Sequence, residues 1–287
     1  MIDAVELRKE YGDVVAVEGS TFSVEPGEIF GLVGPNGAGK TTTLKMLSGL
    51  LEPTAGHASV AGFDSQDREM RRHLGFLPED SPVYEHMTAR SYLGFFADLY
   101  DVPDDVAEER IESTLDRLDL EVRDRPLGNT SKGMKRKVAI ARSLVNDPDV
   151  LVYDEPASGL DPITTNTVVE FTRELADDGK TVVFSAHDLH HVESVCDRVA
   201  IMRAGELAAT GTLADIQAEY GRVEYRVFTD VPVADADPAG DRYETVVESM
   251  DDVERVREAT REAGGRVIDI RTRESTLEDV FLDVAGA

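Results

Sequence analysis

Apolar and polar positions along the chain predict an alternation of strands and helices. The predicted strands of the first 220 residues lie at 2–8, 14–17, 20–24, 28–33, 58–60, 74–77, 150–153 and 181–184. The segments 150–153 and 181–184 are continuous apolar runs with helical patterns between and after them. Such runs are typical of central parallel strands that are buried on both faces. We therefore predict an α/β fold.

Helical periodicity dominates from about residue 86 to residue 147, where we predict a helical subdomain. The apolar residues that share a helical face are Tyr92, Phe95, Phe96 and Leu99 in a first helix and Ile111, Leu115 and Leu118 in a second. A further helix is predicted from about residue 132 to residue 145.

The pattern changes after Gly211. Predicted strands lie at 223–229, 243–249 and 267–272, a loop at 230–241 and a helix at 253–263. Ser275-Thr276-Leu277-Glu278 has a capping-box pattern that opens a last amphipathic helix. We therefore predict a large domain over residues 1–217 and a small α+β appendage over residues 218–287.

One stretch fits the phosphate-binding loop pattern G-x-x-x-x-G-K-[ST], namely Gly34-Pro35-Asn36-Gly37-Ala38-Gly39-Lys40-Thr41. A short apolar strand precedes it and a helical pattern at 42–49 follows it. The glycines let several N–H groups converge, and the helix adds its positive dipole end. Lys40 can contact the outer phosphates, and the Thr41 hydroxyl is suited to Mg²⁺. The context disfavours an ordinary glycine turn and predicts binding of a nucleoside triphosphate.

The apolar run 150–153 ends in two carboxylates, Asp154 and Glu155. Burial of the run brings Asp154 to the edge of the sheet where ligands of such folds bind. An acid there can hold Mg²⁺ through water beside Thr41, and Glu155 is placed to orient or deprotonate the attacking water. The alternative is that Asp154 and Glu155 are acidic residues at a solvent-exposed strand end without a role in catalysis.

Further motifs surround these carboxylates. Asp154-Glu155-Pro156 is followed by Ser158-Gly159-Leu160-Asp161 and preceded by Thr130-Ser131-Lys132-Gly133-Met134-Lys135, and His187 follows the strand at 181–184. Over about residues 2–217 the chain thus resembles the ATP-binding subunit of an ABC transporter. The resemblance implies a P-loop NTPase core of the ABC ATPase type, with a mixed sheet, a helical subdomain and an antiparallel β subdomain.

The resemblance also implies roles for single residues. Residues 131–133 match the family's signature motif, residues 158–161 match its D-loop, and His187 matches its switch histidine. Tyr11 lies where the family stacks an aromatic ring on adenine, although a core or turn tyrosine is an alternative. A surface position is the alternative for His187. The implied catalytic residues are Glu155 and His187.

The implied mechanism places two ATP molecules between two subunits that face each other head to tail, with Mg²⁺ as the second cofactor. Each γ-phosphate then meets Lys40 and Thr41 of one chain and Ser131 and Gly133 of the other. The expected nucleotide-binding residues are Tyr11, Gly34, Pro35, Asn36, Gly37, Ala38, Gly39, Lys40, Thr41, Thr42, Ser131 and Gly133.

Three positions depart from the family pattern. Lys132 stands where most members carry glycine, Thr130 where they carry leucine, and Glu79 where they carry glutamine. A carboxylate can still reach Mg²⁺ but cannot donate an amide hydrogen bond, so the expected metal ligands are Thr41, Asp154 and Glu79. Lys132 lies at the start of a predicted helix, where the helix dipole disfavours a cation unless an anion is near. A phosphate bound to the partner subunit would relieve that conflict. An exposed lysine that reaches away is the alternative.

The Ser-Lys-Gly-Met sequence and the tail Leu277-Glu278-Asp279-Val280-Phe281-Leu282 are similar to one branch of exporter ATPases. Members of that branch pair with a separate membrane permease and export drugs, lipids, polysaccharides or ions. The resemblance implies a cytoplasmic protein that is peripheral on the inner face of the cell membrane through the permease. The sequence shows no signal-peptide pattern and no apolar run of about 20 residues, and both observations agree with this expectation.

Charge adds a second expectation. The net charge is −27, with 57 acidic residues spread along the chain. Self-repulsion of this size destabilises a compact fold in dilute buffer, and salt screens it. We therefore predict a source with a very salty cytoplasm, with an ordinary acidic cytosolic protein as the alternative. The acidity argues against nucleic acid as a general partner. The single cysteine, Cys196, excludes an internal disulfide framework.

Two other classes of function stay open on sequence grounds. A soluble ABC ATPase that acts on ribosomes or DNA usually joins two ATPase halves or carries long basic or coiled-coil insertions, which this chain lacks. A nucleotide-dependent regulator would stop after about one turnover, and a turnover assay separates it. A GTPase is disfavoured because the chain has no Asn-Lys-x-Asp guanine motif.

Overall fold

The computed structural model describes residues 1–186 and 189–285, except the side chains of residues 190, 191, 277 and 285. The chain divides into two compact units, Met1–Leu213 and a second unit that begins at Ala214. The sequence-based expectation placed this division between residues 217 and 218. The observed division falls at the start of a helix, Leu213–Tyr220, which is α7 in chain order.

The first unit contains ten strands and six helices among its described residues. The strands are β1 (Ile2–Tyr11), β2 (Val14–Val24), β3 (Ile29–Val33), β4 (Ala55–Val60), β5 (Phe63–Asp64), β6 (Leu74–Leu77), β7 (Val150–Tyr153), β8 (Thr181–Ala186), β9 (Arg198–Arg203) and β10 (Glu206–Gly211). The helices are α1 (Lys40–Leu47), α2 (Ala89–Leu99), α3 (Asp104–Arg117), α4 (Lys132–Arg142), α5 (Pro162–Asp177) and α6 (Leu189–Val195), with 3₁₀ turns at Glu69–Arg72 and Leu127–Asn129.

A six-stranded sheet with the order β10-β9-β3-β8-β7-β6 forms the centre of this unit. All its neighbouring pairs are parallel except β9 and β10, which are antiparallel. Every residue of β7 and β8 is buried, so the prediction of central parallel strands from the two apolar runs is confirmed. The carboxyl ends of β3, β7 and β8 therefore meet at one edge of the sheet.

A four-stranded antiparallel sheet with the order β2-β1-β4-β5 packs on the same core. Phe22 of β2 stacks on Phe30 of β3, with ring centroids 5.3 Å apart. Leu44 and Leu47 of α1 are fully buried in the cluster that both sheets share. The helix that follows the phosphate-binding loop is thereby fixed between the two sheets.

The first two strands differ from the prediction. One continuous strand, β2, replaces the two segments predicted at 14–17 and 20–24, and β1 extends to Tyr11. The register between β1 and β2 shifts between Leu7 and Lys9, where β2 carries one extra residue between Val17 and Ser20, and Gly19 has a left-handed φ of 70°. A bulge moves the following side chains to the other face, so the apolar alternation breaks although the strand continues.

Three helices fill the segment 86–147. The buried face of α2 centres on Tyr92 and Leu93, whereas Phe95 and Leu99 of the predicted face are 39% and 62% exposed. In α3 the buried positions include Ile111 and Leu115, as the spacing predicts. Thr88 caps α2 and exchanges hydrogen bonds with Ser91 in a capping box.

The second unit is α+β. Its elements are β11 (Val223–Thr229), β12 (Asp237–Ala239), β13 (Arg242–Val247), α8 (Met250–Glu262), β14 (Val267–Glu274) and α9 (Leu277–Ala285). The sheet order is β12-β13-β11-β14, with antiparallel pairs throughout, and α8 packs on β11 and β13. β12 lies inside the predicted loop 230–241, where its sequence Asp-Pro-Ala carries no strand pattern.

The cap of α9 also differs from the prediction. The residue pair that exchanges hydrogen bonds is Thr276 and Asp279, one position after the predicted pair Ser275 and Glu278. Ser275 instead bonds to the backbone of Arg222. Over the whole described chain, we find no helix that is long and apolar enough to cross a bilayer.

Candidate nucleotide-binding and hydrolysis site

The phosphate-binding loop lies between β3 and α1 and is packed against its surroundings. A Cβ atom at Gly34 would lie 2.5 Å from the carbonyl oxygen of Met202, and one at Gly39 would lie 2.6 Å from that of Ala16. Gly37 and Gly39 have left-handed φ values of 83° and 107°. Only glycine combines this conformation with such close approach.

Hydrogen bonds hold the middle of the loop in place. The Ala38 amide donates to Pro35, and the Ala38 carbonyl accepts from Gly205 at 3.0 Å. Asn36 and Gly37 are exposed at the tip, and Thr42 is half-buried in the first turn of α1. The N-cap of α1, Gly39, offers no side-chain cap. The first N–H groups of this helix are therefore directed to the loop, as an anion site requires.

The Lys40 ammonium lies inside the loop. Its Nζ atom donates to the carbonyl oxygens of Gly34 at 2.7 Å and Pro35 at 3.3 Å, and the residue is 6% exposed. Burial lowers the pKa of Lys40, and the charges of Glu155, Asp154 and Glu79 oppose that shift. These carboxylates therefore act electrostatically on the buried ammonium of Lys40.

Asp154 is 1% exposed and connects two strand ends to α1. Its Oδ1 atom accepts a hydrogen bond from the Thr41 hydroxyl at 3.2 Å and another from the Ser185 hydroxyl at 2.6 Å. Thr41 is the second residue of α1, Asp154 follows β7 and Ser185 is the penultimate residue of β8. The parallel order of β3, β8 and β7 brings these groups together, as the sequence pattern predicts for Thr41 and Asp154.

The hydroxyl of Thr41 and the carboxylate of Asp154 fit Mg²⁺, which prefers oxygen ligands and keeps several waters. Among the described residues, no group of three or more His, Cys, Asp or Glu side chains gathers to hold a metal. The protein thus offers a partial oxygen set that phosphate and water would complete. Glu79 is exposed on the segment after β6, and its role as a ligand stays a prediction.

Glu155 is held in an unusual backbone conformation, with a left-handed φ of 47°. For a residue with a Cβ atom this costs about 1–3 kcal/mol. Its amide donates to the Ser185 hydroxyl at 2.9 Å, and its carbonyl accepts from Nη2 of Arg136 at 2.7 Å. The surrounding structure therefore fixes the backbone of the predicted catalytic residue Glu155 on both sides.

The signature residues lie at the start of α4 beside the D-loop. Ser131 caps α4 by accepting from the Met134 amide at 3.2 Å. Gly133 is buried, and a Cβ atom there would lie 2.9 Å from the side chain of Thr164 in α5. The Lys132 ammonium lies over Gly159, so this lysine reaches the D-loop of its own chain instead of pointing away.

Tyr11 lies outside this cluster of contacts. Tyr11 is 51% exposed at the end of β1, with the Lys9 ammonium 5.6 Å from its ring centroid, so it is not a core tyrosine. An exposed ring is available for stacking. His187 lies outside the described residues, and β8 ends at the residue before it.

Sequence reasoning missed two residues of the site. Ser185 lies in a fully buried strand next to the strand that Asp154 follows. A single hydroxyl in such a strand is only a weak sequence signal for a site residue. Arg136 lies on the buried face of α4, and a cation among Gly133, Val138 and Ile140 is the signal that could have found it. A buried cation must be hydrogen-bonded or paired.

Comparisons with known proteins agree with this geometry. The family model "ABC transporter" matches residues 17–158. The Nod factor export ATP-binding protein I of Burkholderia pseudomallei (strain 1710b) is 37% identical over 297 residues, which span 99% of this chain and 97% of that protein.

Two solved structures extend the comparison to the fold. An ATP-binding subunit of an ABC transporter superposes with a TM-score of 0.71 at 34% identity and covers 77% of this chain and 93% of its own. The dimeric bacterial ABC transporter cassette MJ0796 superposes with a TM-score of 0.68 at 25% identity and covers 74% of this chain and 98% of its own. The predicted fold class is confirmed. Together with the phosphate-binding loop and its carboxylates, these matches show that the chain belongs to the ATP-binding proteins of ABC transporters and is an ATPase.

Proposed function

We propose that two copies of this chain close on two ATP molecules and hydrolyse them to drive export through a separate membrane permease. The observation that carries the proposal is the separation of two half-sites. Lys40 and Thr41 bond within the phosphate loop and to Asp154, whereas Ser131 caps α4 and residues 132 and 133 contact the D-loop and α5. A second copy would bring its signature helix to the phosphates.

Within each composite site the roles follow from chemistry. Lys40 and the N–H groups at the start of α1 bind the phosphates, and Thr41 and Asp154 hold Mg²⁺. Glu155 orients the attacking water and accepts its proton. Ser131 and Gly133 of the other copy offer the N-terminus of α4 to the γ-phosphate.

Two further roles rest on the family resemblance alone. Tyr11 stacks on adenine, and His187 contacts the γ-phosphate. Glu79, near enough to Lys40 to act on its charge, is the third candidate around the metal.

The relatives support the dimer and the direction of transport. The similar cassette MJ0796 was solved as a dimer, and the relative at 37% identity is named for Nod factor export. We propose export for this chain on that basis, with attachment to the inner face of the membrane through the permease. Cytoplasmic loops of membrane proteins carry excess Lys and Arg, and a net charge of −27 is complementary to them.

A groove in the first unit offers a surface for the permease. Its lining includes Leu50, which is 60% exposed, together with Phe96 and Tyr100 of the helical segment. Phe76 of β6 also lines it, three residues before Glu79. A permease segment in this groove would contact both the central sheet and the segment that leads to the nucleotide.

The variant Glu155→Gln tests this function. We expect it to bind Mg-ATP, form a stable dimer by light scattering and hydrolyse ATP slowly, because the amide cannot accept the proton. Lys40→Ala is the matched control that should stay monomeric under ATP. Glu155→Gln protein that stays monomeric with ATP would contradict the sandwich, and hydrolysis at the parent rate would remove Glu155 from its role. Co-purification with ribosomes instead of a membrane protein would contradict the transport function.

A further inference from the structure

We propose that Arg136 is a positioning residue for ATP hydrolysis, which holds the backbone of Glu155 and the segment of Glu79 in one fixed arrangement. The inference rests on the proposed role of Glu155 in ATP hydrolysis and does not depend on export or on a permease. It assigns a task to a residue of the signature helix whose side chain is buried and bonds to its own chain.

Arg136 reaches two separate loops from α4. Its guanidinium donates to six acceptors: the carbonyl oxygens of Pro156 at 2.9 Å, Pro78 at 2.8 Å, Glu79 at 2.9 Å, Asp154 at 2.9 Å and Glu155 at 2.7 Å, and the hydroxyl of Ser81 at 3.0 Å. One loop follows β6 and the other follows β7. The planar guanidinium therefore sets the spacing between them.

The hydrogen-bonding capacity of Arg136 is fully used. A guanidinium has five N–H donors in a fixed fork, so at least one of them is shared between two of the acceptors. The residue is only 8% exposed, and burial lowers its pKa to about 10, against the opposing charges of Asp154 and Glu79. It remains a cation at neutral pH. Lysine has a single compact ammonium and cannot span both loops.

The consequence for Glu155 is conformational. Its left-handed backbone, with φ of 47°, is secured at the amide by Ser185 and at the carbonyl by Arg136. Without Arg136 the carbonyl loses its donor and the residue can relax toward an ordinary conformation. The carboxylate would then move away from the attacking water, while the phosphate loop would keep its own contacts.

The test compares Arg136→Lys with Arg142→Lys, the same change on the same helix at a residue that bonds to Tyr92. We expect Arg136→Lys to lower kcat by about 10- to 100-fold, since misplacement near 1 Å costs that order, and to leave the ATP dissociation constant within about twofold. Arg142→Lys should hydrolyse at the parent rate. An unchanged kcat in Arg136→Lys, or a loss of ATP affinity that matches the loss of rate, would overturn the proposal.

Two further measurements separate positioning from a general loss of folding. In Arg136→Ala, millimolar methylguanidine should restore part of the rate, whereas methylamine should not. In a Glu155→Gln background, Arg136→Lys should lower the residual single-turnover rate little further, because both changes act on one group. If Arg136→Lys lowers the rate by the same factor in the Glu155→Gln background as in the parent, Arg136 is merely structural. The same conclusion follows if methylguanidine does not rescue a folded Arg136→Ala protein.

Discussion

The hydroxyl oxygen of Thr41 lies 3.2 Å from Oδ1 of Asp154 and joins the start of α1 to the end of β7. This contact places one uncharged and one charged oxygen where Mg²⁺ would be bound beside the phosphates. It also closes a short chain of hydrogen bonds that continues through Ser185 to the amide of Glu155. The proposed metal ligand Asp154 and the backbone of the proposed general base Glu155 are therefore linked through one chain of hydrogen bonds.

Removal of the Thr41 hydroxyl should weaken the response to magnesium. We expect Thr41→Val to raise the Mg²⁺ concentration for half-maximal ATPase activity by about tenfold or more, because even outer-shell groups change metal affinity by about 10- to 100-fold. The measurement is a magnesium titration at saturating ATP. Thr41→Ser keeps the hydroxyl and should respond like the parent, and equal titration curves for Thr41→Val and Thr41→Ser would contradict the assignment.

Gly133 should be required for packing as well as for any contact with ATP. A Cβ atom there would lie 2.9 Å from Oγ1 of Thr164, which is itself bonded to Asp161 at 2.7 Å. We expect Gly133→Ala to lower the free energy of unfolding by about 1–3 kcal/mol, the usual cost of overpacking.

The matched control for Gly133→Ala is Gly94→Ala in α2, where a Cβ atom meets no other atom within 4 Å. That change should stabilise the protein by about 0.5–1 kcal/mol through helix propensity. Adding Thr164→Ala to Gly133→Ala should recover part of the lost stability in urea unfolding. Equal stabilities of the Gly133→Ala and Gly94→Ala proteins would show that the contact with Thr164 is unimportant.

The helical segment should lose stability in acid through Glu112. Hydrogen bonds from Arg90 lower the pKa of Glu112 to about 2 from a usual value of 4.5, with a further bond from Arg123. Because the folded pKa is depressed, the stabilisation is present above the unfolded pKa and is lost as the pH falls from 4.5 toward 2.

The variant Glu112→Gln measures this contribution. It should be less stable than the parent at neutral pH by no more than about 1 kcal/mol, because partly exposed pairs are worth little. The difference should shrink as the pH falls through that window. A constant difference between the parent and Glu112→Gln from pH 6 to the acid limit would mean that packing, not charge, explains the effect.

Salt should stabilise the fold. With a net charge of −27, repulsion acts over the Debye length, which falls from about 10 Å at 0.1 M salt to about 3 Å at 1 M. We expect the free energy of unfolding to rise with KCl over this range. Sucrose at matched osmolality controls for solute exclusion, since it does not screen charge. A protein that is most stable in dilute buffer would exclude the high-salt adaptation.

The sequence predicts the parts of the site that depend on local pattern. The phosphate loop is recognisable because its glycines, lysine and threonine have fixed spacing, and β7 and β8 because they are buried on both faces. The position of Asp154 beside the phosphate loop can be predicted from these two features, since the carboxyl ends of parallel strands share an edge of the sheet. These features need no knowledge of contacts between distant residues.

The remaining features depend on such contacts. Arg136 bonds to Pro78, which is 58 positions away, and no local pattern shows which carbonyl groups meet a buried cation. The left-handed conformation of Glu155 follows from its backbone partners and not from its residue type. The register shift near Gly19 similarly hides one long strand behind two short apolar segments.

The most direct test of the shared site is complementation between two inactive variants. Lys40→Ala lacks the phosphate-loop cation and Ser131→Arg blocks the signature half-site, so each protein alone should be inactive. Mixed in equal amounts, they should recover up to about half of the parent ATPase rate, because only a mixed dimer contains an intact composite site and it contains one instead of two. No recovery in a mixture that forms mixed dimers, or full activity of either variant alone, would contradict the account.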